Sequence, residues 1–287
     1  MSNGQLPPVT HGAIAAPVVA QFLRSSGMTI EQLMLALIPL AQKYAIPPIS
    51  NFFVGAVALG ASGSIYFGAN YEFVGQALSF TVHGEQAATA HAIAGGETGM
   101  QMLAVSAAPC GYCRQFLYEL TTASTLQILL PNTPAALLTS LIPNAFGPGD
   151  LGVTAALMSP QSHGMTLSPP AGDSLVSAAL AAANVSYAPY TFSYAGVALK
   201  VRDGSIFTGS VAENAAFNPS MSPLEAAIVN MVISGGKSYA DITDAVLVEA
   251  AGSKANQVAA TRAVLGSITS VPLRAYQAHA PHIKKEK

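Results

Sequence analysis

NFFVGAVALGASGSIYFGANYEF (Asn51–Phe73) decides the fold, because a similar stretch returns later in the chain as TFSYAGVALKVRDGSIFTGSVAEN (Thr191–Asn214). The glycines and apolar runs stay in step, with Asn51 opposite Thr191, and the offset grows by one inserted residue near Asp203. Further on, EQAATAHAIAGGE (Glu85–Glu97) lines up with EAAIVNMVISGGK (Glu225–Lys237) at the original offset. Self-similarity at a nearly constant spacing predicts two copies of one structural unit.

Each copy is predicted to alternate strands with helices. In the first copy, an apolar run and a Ser-Gly turn indicate two strands, and an alanine-rich stretch closed by two glycines indicates a helix. A third strand follows, and then a second helix that begins near a proline. The predicted elements are strands at Val54–Leu59, Ile65–Phe67 and Leu103–Ser106, and helices from about His83 to Gly95 and from Pro109 to Leu120. This alternation is typical of a layered α/β fold.

The composition limits the partners of the chain. Hydrophobic residues make up 51% of the 287 residues and charged residues 9%, against about 25% charged in a typical soluble domain. Because so much apolar area must be hidden in cores or in a subunit interface, we expect an oligomer. A net charge of -2 without a basic stripe argues against tight binding of long nucleic acid. The apolar stretches are short and carry prolines, so no membrane span is expected.

The N-terminal residues and the cysteines indicate a soluble, cytoplasmic protein. The first basic residue is Arg24, so no charged region of a signal peptide precedes the early apolar stretch. Cys110 and Cys113 are the only cysteines, which is a poor disulfide framework for a chain of this length. They suit a reducing compartment and a metal or redox role.

Four polar side chains stand at the starts of the two predicted helices. His83 and Glu85 begin the first helix, and the two cysteines begin the second. Helix dipoles favour thiolates at such positions. One imidazole and two thiolates leave a tetrahedral Zn²⁺ with one open position for water, as in a catalytic site. A carboxylate two residues beyond the histidine can take the proton of that water.

Neither half of this pattern is specific alone. A single histidine at a helix start is more often a surface or capping residue, and a single CxxC is also found in thioredoxin-like redox pairs. The ordered combination H-x-E, about 25 residues and then P-C-x-x-C is the signature of zinc-dependent nucleobase deaminases. The combination therefore favours a deaminase.

Six segments carry a resemblance to a known family: SNFFVGA, FGANYEF, TVHGEQ, PCGYCRQF, AFGP and YTFSYAGVAL. Over nearly its whole length the chain resembles the homodimeric, two-unit bacterial type of cytidine deaminase. The resemblance implies a three-layer α-β-α fold, duplicated within one chain and preceded by an N-terminal helical segment. The expected regions are this segment at 1–48, a catalytic zinc-binding domain at 49–142, a linker at 143–170 and a degenerate, non-catalytic deaminase-like domain at 171–287.

The resemblance also implies an activity. It is the hydrolytic deamination of cytidine and 2'-deoxycytidine to uridine and 2'-deoxyuridine, with release of ammonia, in pyrimidine salvage. His83, Cys110 and Cys113 are then the ligands of the zinc, whose hydroxide attacks C4 of the pyrimidine. Glu85 is the proton shuttle to N3 and to the departing amine.

Further residues match substrate-binding positions of the family. Phe52 resembles the aromatic residue that packs on the pyrimidine, although core packing is an alternative. Asn70 and Glu72 resemble the pair that binds the ribose 3'-hydroxyl of a free nucleoside, the alternative being a solvated turn. Gly84 replaces the usual alanine and keeps the backbone N–H that contacts the base. Phe146 resembles a linker residue that reaches the active site of the partner subunit, although it also suits a local gap.

The second copy is predicted to have lost its chemistry. At the offset that sets Glu225 at the place of Glu85, Pro223 stands at the place of His83. At the same offset, Ala250 and Ser253 stand at the places of the cysteines. We therefore expect one zinc ion per chain.

Three other functions are weighed against this one. A zinc-binding structural or regulatory protein would not require Glu85. An enzyme that edits polymeric nucleic acid is disfavoured by the acidic balance and by Glu72, which would repel a 3'-phosphate. Thiol redox chemistry leaves His83 and Glu85 unexplained. For Arg114, directly after Cys113, hydrogen bonding to a thiolate and a solvated helix face are both open.

Overall fold

The computed structural model describes residues 6–170 and 172–280, which fold into two compact units. The first unit comprises Met1–Ser159, Asn214–Pro219 and Val232–Gly236, and the second comprises Pro160–Glu213, Ser220–Met231 and Lys237–Lys287. The domain limits expected from the sequence, 1–48, 49–142, 143–170 and 171–287, stay predictions. Residues 1–5, 171 and 281–287 of those ranges lie outside the described residues.

Helices and strands alternate as the sequence predicted, with boundaries within a few residues of those expected. In the described residues the strands are β1 (Ala13–Ile14), β2 (Gly55–Gly60), β3 (Ile65–Ala69), β4 (Met100–Val105), β5 (Gln127–Leu129), β6 (Ala136–Leu137), β7 (Ala195–Val201), β8 (Ile206–Ser210), β9 (Ile242–Ala250) and β10 (Leu273–Ala278). The α-helices are α1 (Ala16–Ser26), α2 (Ile30–Ala41), α3 (Gly84–Ala94), α4 (Gly111–Leu117), α5 (Leu138–Leu141), α6 (Ser174–Asn184), α7 (Pro223–Val229) and α8 (Val258–Ile268). Among these residues, no helix combines the length and apolar character needed to cross a lipid bilayer.

Each unit contains one mixed β-sheet, and the two sheets share a strand order. The first sheet runs β1-β3-β2-β4-β5-β6 and the second runs β10-β9-β7-β8. In both, the central strand pairs antiparallel with its two neighbours, β2 with β3 and β4, and β7 with β8 and β9. The next pair, β4 with β5 or β9 with β10, is parallel. The order β3-β2-β4-β5 is therefore repeated as β8-β7-β9-β10.

Two glycines show that helices cover both faces of the first sheet. A Cβ on Gly55 would lie 2.7 Å from the carbonyl oxygen of Ile38 in α2, and one on Gly68 would lie 2.2 Å from the amide nitrogen of Ala88 in α3. Gly68 pairs with Ala56, the neighbour of Gly55 along β2. Because successive residues of a strand face opposite sides of the sheet, α2 and α3 lie on opposite faces.

The second sheet is built in the same way. A Cβ on Gly196 would lie 2.3 Å from the amide nitrogen of Ala183 in α6, and one on Gly209 would lie 2.2 Å from that of Ala227 in α7. Gly209 pairs with Val197, next to Gly196. Both units are therefore three-layer α-β-α structures, and the predicted duplicated fold is confirmed.

The strand register corrects the offset between the copies. Gly55 pairs with Ala69 and Gly196 pairs with Ser210, so Gly196 is the structural counterpart of Gly55. The offset expected before Asp203 sets Ala195 opposite Gly55 and is therefore wrong by one residue. Two strands with similar apolar sequences can be aligned with a shift of one residue and still match, so the sequence alone does not fix their register.

The first turn of the helix requires a second correction. A Cβ on Gly68 would meet the carbonyl oxygen of Gly84, and one on Gly209 would meet that of Pro223. Pro223 is thus the counterpart of Gly84, and Ser222, not Pro223, stands at the place of His83. The third residue of each helix accepts a hydrogen bond from the N-cap amide, which gives Glu225 the position that Gln86 holds in α3.

The place of Glu85 is consequently taken by Leu224, and the expected equivalence of Glu225 with Glu85 is wrong. The same register continues along the helix, where His91 contacts the carbonyl oxygen of Phe67 and Asn230 donates to that of Thr208. A π-helical turn at Asn230–Ser234 then absorbs one extra residue. Because of that extra residue, the glycine pairs at the ends of the two helices are again related by the offset found in the sequence alignment.

The places of the two cysteines also shift. Val105 pairs with Ala56, and Leu247 pairs with Val197, which is the counterpart of Ala56. Continued past the strands, this register sets Gly252 and Ala255, rather than Ala250 and Ser253, at the places of the cysteines. The following helix begins only at Val258. The second copy therefore keeps neither the ligands nor the glutamate.

Gly68→Ala is expected to lower the free energy of unfolding by about 1–3 kcal/mol, because the new methyl group would meet helix backbone that cannot turn away. Gly266→Ala is the matched control, since Gly266 lies within α8 and a Cβ there meets nothing within 4 Å. It should be neutral or stabilising by up to about 1 kcal/mol. Denaturant unfolding measures both values, and equal effects would contradict the close approach of α3.

Glu225→Gln is expected to reduce the pH dependence of stability. Burial raises the pKa of Glu225 from 4.5 to about 7, against hydrogen bonds from Ser222 that lower it. Between these values the folded chain holds a proton that the unfolded chain releases, so stability falls as the pH rises through this interval. Glutamine still accepts from Ser222 but does not titrate.

The stability difference, variant minus wild type, should therefore grow by about 2–3 kcal/mol between pH 4 and pH 8. Urea unfolding at a series of pH values measures this difference. A difference that stays constant over the whole range would show that Glu225 ionises as freely in the folded chain as in the unfolded one.

Candidate metal centre

His83 is placed by the start of α3. It is the N-cap residue, in extended conformation, and its amide donates to the Gln86 side chain at 3.2 Å. The preceding residue, Val82, pairs with Tyr71 next to β3. The helix start is thus held between the chain that follows β3 and its own first turn.

The two cysteines are placed by the start of α4. Cys110 is its N-cap residue, and Cys113 lies on its first turn, with a fully buried side chain. Arg114 donates through Nε to the carbonyl oxygen of Pro109 and through a terminal nitrogen to that of Leu141. Its guanidinium therefore fixes the backbone just before Cys110. It neither bonds a thiolate nor lies on a freely solvated face, the two alternatives left open by the sequence.

The three donor atoms lie close enough together to hold one zinc ion. Nδ1 of His83 lies 3.7 Å from Sγ of Cys110 and 3.2 Å from Sγ of Cys113, and the sulfurs are 3.6 Å apart. Tetrahedral angles with ordinary Zn–S and Zn–N bond lengths require separations of about 3.5–3.8 Å, so two of these distances agree with such a site and the distance from His83 to Cys113 is shorter. Across residues 6–170 and 172–280, this is the one group of three such side chains able to hold a metal ion. Its donor set is the one that zinc prefers.

The two thiols titrate as a pair. The hydrogen-bond contact with Cys113 lowers the pKa of Cys110 to about 5, against the effect of burial, and backbone N–H groups of the helix start add to this lowering. The same contact with Cys110, together with burial, raises the pKa of Cys113. Cys110, which is exposed, therefore provides a thiolate ligand near neutral pH.

Glu85 lies beside the ligands without being one of the three. Its side chain is 4% exposed. Burial raises the pKa of the Glu85 carboxyl, while a hydrogen bond with Cys113 and the charge of His83 act in the opposite direction. A buried carboxyl in contact with a ligand thiol is suited to hold and release a proton next to the metal.

Gly84 is explained by its neighbour in space. A Cβ at this position would lie 2.9 Å from Cγ1 of Val54 and 3.5 Å from Cβ of Ala56. Valine is stiff at χ1 and cannot easily withdraw. The side chain of Val54 therefore takes the space that a side chain in the middle of H-x-E would need, and the start of α3 packs directly on the beginning of β2.

A second cluster holds the loop before β2. The Glu72 carboxylate accepts from the Ile49 and Ser50 amides at 2.8 Å each and from the Ser50 hydroxyl. Asn70 accepts from the Val54 amide and donates to the carbonyl oxygen of Phe52, each at 2.9 Å. We call these contacts the loop clasp. They bury the side chains of Asn70 and Glu72, so the solvated turn is wrong for both.

Phe52 is presented by this loop. Its side chain is 58% exposed, so core packing, the alternative left open by the sequence, is wrong. Val54 links the loop clasp to the metal centre, because its amide binds Asn70 and its side chain contacts the Gly84 position. The exposed Phe52 ring thus stands two residues from the packing contact with α3.

The second copy contains the same clasp. Glu213 accepts from the Tyr190 and Thr191 amides, at 3.0 Å and 3.2 Å, and from the Thr191 hydroxyl. Because this copy has no metal ligands, the clasp has an architectural role there. The sequence reasoning missed Ser50, because the sequence alignment set Asn51 opposite Thr191 and only the strand register sets Ser50 there.

Phe146 lies near α4 within the first unit. Its carbonyl oxygen accepts from Gln115 at 2.7 Å, and its side chain is 44% exposed. The ring therefore does not fill a local gap completely.

Three protein ligands on helix starts of an α/β sheet, with a buried glutamate beside them, define a zinc-dependent hydrolase of the deaminase type. Among the described residues no fourth side chain joins this group, whereas structural zinc sites are usually closed by four protein ligands.

Comparisons with known proteins identify the family. Two sequence profiles, each described as the cytidine and deoxycytidylate deaminase zinc-binding region, match residues 28–128 and 138–262. The chain is 48% identical over 252 residues to a cytidine deaminase of Photobacterium profundum, covering 88% of this chain and 84% of that protein. It is 50% identical over 260 residues to one of Aeromonas hydrophila, covering 91% and 87%. A crystal structure of cytidine deaminase from Mycobacterium tuberculosis matches 42% of this chain and 99% of its own, at 31% identity and a TM-score of 0.39.

The chain belongs to the cytidine deaminase family. It is accordingly a hydrolase whose cofactor is zinc, and His83, Cys110 and Cys113 are the residues whose donor atoms fit that ion.

Glu72→Gln and Glu213→Gln are expected to destabilise the protein by similar amounts, about 1–3 kcal/mol each. Both replace a carboxylate oxygen by an amide that faces N–H donors, which removes charge-assisted hydrogen bonds. Denaturant unfolding of the two variants measures the effect. If Glu213→Gln were neutral, the clasp would not be an architectural feature of the repeat.

Proposed function

We propose that the protein catalyses the hydrolytic deamination of free cytidine and 2'-deoxycytidine to uridine and 2'-deoxyuridine, with release of ammonia, as a step of pyrimidine salvage. The observation that carries the proposal is the buried Glu85 carboxyl beside the His83, Cys110 and Cys113 donor atoms. A closed structural site would need neither an open coordination position nor an adjacent proton carrier.

The chemistry divides between the metal and the chain. Held by His83, Cys110 and Cys113, a zinc ion would supply Lewis-acid activation of the water molecule that attacks C4 of the pyrimidine. Glu85 would take the proton that this water releases and deliver it to ring N3. It would then take the second proton from the C4 hydroxyl as the C4 carbonyl forms and give it to the exocyclic amine, which leaves as ammonia when the C4–N bond breaks. Its burial keeps bulk water from exchanging that proton, and its place on the first turn of α3 fixes the carboxyl toward Cys113.

The start of α3 also offers donors to the substrate. The first amide groups of an α-helix have no partner within the helix. The Gly84 amide is therefore suited to bind the pyrimidine. The exposed Phe52 ring is suited to pack on the face of the base.

The loop clasp leaves one acceptor and one donor for a sugar hydroxyl. A carboxylate has about four acceptor sites, and the loop uses three of those on Glu72. The Asn70 side-chain nitrogen carries two hydrogens, and one bonds to Phe52. A ribose 3'-hydroxyl, which both donates and accepts, is complementary to this remaining pair. A 3'-phosphate would be repelled by Glu72, so the substrate is a free nucleoside rather than polymeric nucleic acid.

The functional unit is a homodimer in this proposal. Large apolar side chains at the surface include Leu78, 72% exposed, and Phe146, 44% exposed. In the proposed dimer, the Phe146 ring would reach the active site of the partner subunit. A low charge content supports burial of such surface between copies. Two ligand cysteines that must stay reduced support a cytoplasmic location.

Glu85→Gln is expected to lower the rate of cytidine deamination by at least about 10²-fold while about one zinc ion per chain is retained, because the amide cannot carry a proton. The loss of cytidine absorbance in the ultraviolet measures the rate, and metal analysis measures the zinc. Glu225→Gln is the matched control, since it changes the buried glutamate at the start of the equivalent helix and should keep the wild-type rate.

A zinc-loaded wild-type protein that does not deaminate cytidine would refute the proposed activity. A Glu85→Gln variant at full rate would refute the role of Glu85, and two zinc ions per chain would refute the loss of chemistry from the second copy.

A further inference from the structure

The ring of Tyr112 stacks on the imidazole of His83. Their centroids are 5.2 Å apart and their planes differ by 28°, which is an offset-stacked arrangement. Tyr112 lies between the two cysteines on the first turn of α4, and its side chain is half-buried. The contact therefore joins the helix start that carries the thiols to the helix start that carries the imidazole.

The His83 ring has little else to orient it. Within the described chain, its hydrogen-bonding contacts run through Nδ1, which faces the two sulfurs. Histidine ligands of metals commonly donate the other ring nitrogen to a carboxylate or carbonyl group, which fixes the plane of the ring. In this chain the contact that orients the His83 ring is the stacking of Tyr112 on its face.

We propose that Tyr112 is a positioning residue of the zinc centre, which aims the Nδ1 lone pair of His83 at the metal by stacking on the imidazole. The lone pair lies in the plane of the ring, so a rotation of the imidazole turns it away from the ion. Ligand groups must be held within about 10–20° of the productive geometry. The stacking ring resists this rotation, and the phenol hydroxyl is not required.

Three substitutions separate the parts of this side chain. Tyr112→Phe keeps the flat ring and removes the hydroxyl. Tyr112→Leu keeps a large apolar side chain without a flat face, and Tyr112→Ala removes both. Gly111→Ala is the control for a change in the same turn, because a Cβ there meets nothing within 4 Å. Thermal unfolding confirms that each full-length variant is folded before it is compared.

The first measurement is the rate at which zinc passes from the protein to an excess of a chromophoric chelator. Tyr112→Ala and Tyr112→Leu should release zinc about 3–10-fold faster than wild type. Tyr112→Phe and Gly111→Ala should stay within about twofold of wild type, since neither changes the stacked face. This readout needs no turnover, so it is independent of the proposed activity on cytidine.

The second measurement is the visible spectrum of the cobalt-substituted protein, which reports the geometry of the ligands. The bands should shift in Tyr112→Ala and Tyr112→Leu and should match wild type in Tyr112→Phe. Wild-type zinc release and spectrum in Tyr112→Ala would overturn the proposal. It would also be overturned if Tyr112→Phe behaved like Tyr112→Ala, because the hydroxyl would then carry the effect, or if Tyr112→Leu behaved like wild type.

Discussion

The direct contact of α3 with β3 at Gly68 is the constraint on which the metal centre depends. The missing side chain lets the backbone of α3 lie against the strand, and a Cβ would meet Ala88 and Gly84 at 2.2 Å and 2.3 Å. This contact sets the height of the helix start above the sheet and so the position of His83. A displacement of this helix by one methyl group would separate the imidazole from sulfurs that it now approaches at 3.2 Å and 3.7 Å.

The repeat shows which interactions belong to the frame and which belong to the chemistry. The interactions that hold the frame are present in both copies, although different residues make them. The hairpin turn is tied to the helix end by Ser62 and Glu97 in the first copy, and by an ion pair of Asp203 and Lys237 at 2.6 Å in the second. The glutamate clasp and the N-cap acceptor at the third helical residue are kept in both. The imidazole and the thiols, with the buried Glu85 carboxyl beside them, belong to the first copy.

Burial gives three glutamates different properties within this frame. Three donors from Ile49 and Ser50 outweigh burial and lower the pKa of Glu72. Glu85 and Glu225 have fewer donors, and burial raises the pKa of each. A carboxyl with a raised pKa can stay protonated and still accept the hydrogen bonds of a helix start, at little cost in stability. Next to a metal ion, the same property is what a proton carrier requires.

The sequence by itself determined the repeat, the main strands and helices and the group of His83, Cys110 and Cys113, and it predicted that the second copy has no such group. These rest on local periodicity and on residue types whose chemistry does not depend on distant neighbours. Only the tertiary structure decided the register of the two copies, because similar helical sequences can be aligned with a shift of one residue. The extra residue of the π-helical turn concealed this shift, so Glu225 aligned with Glu85 in the sequence although it occupies the position of Gln86. The tertiary structure also decided the clasp around Glu72, the match of Gly84 with Val54 and the stacking of Tyr112 on His83. Each of these joins residues far apart in the chain, and only the close approach of helix to sheet brings them into contact.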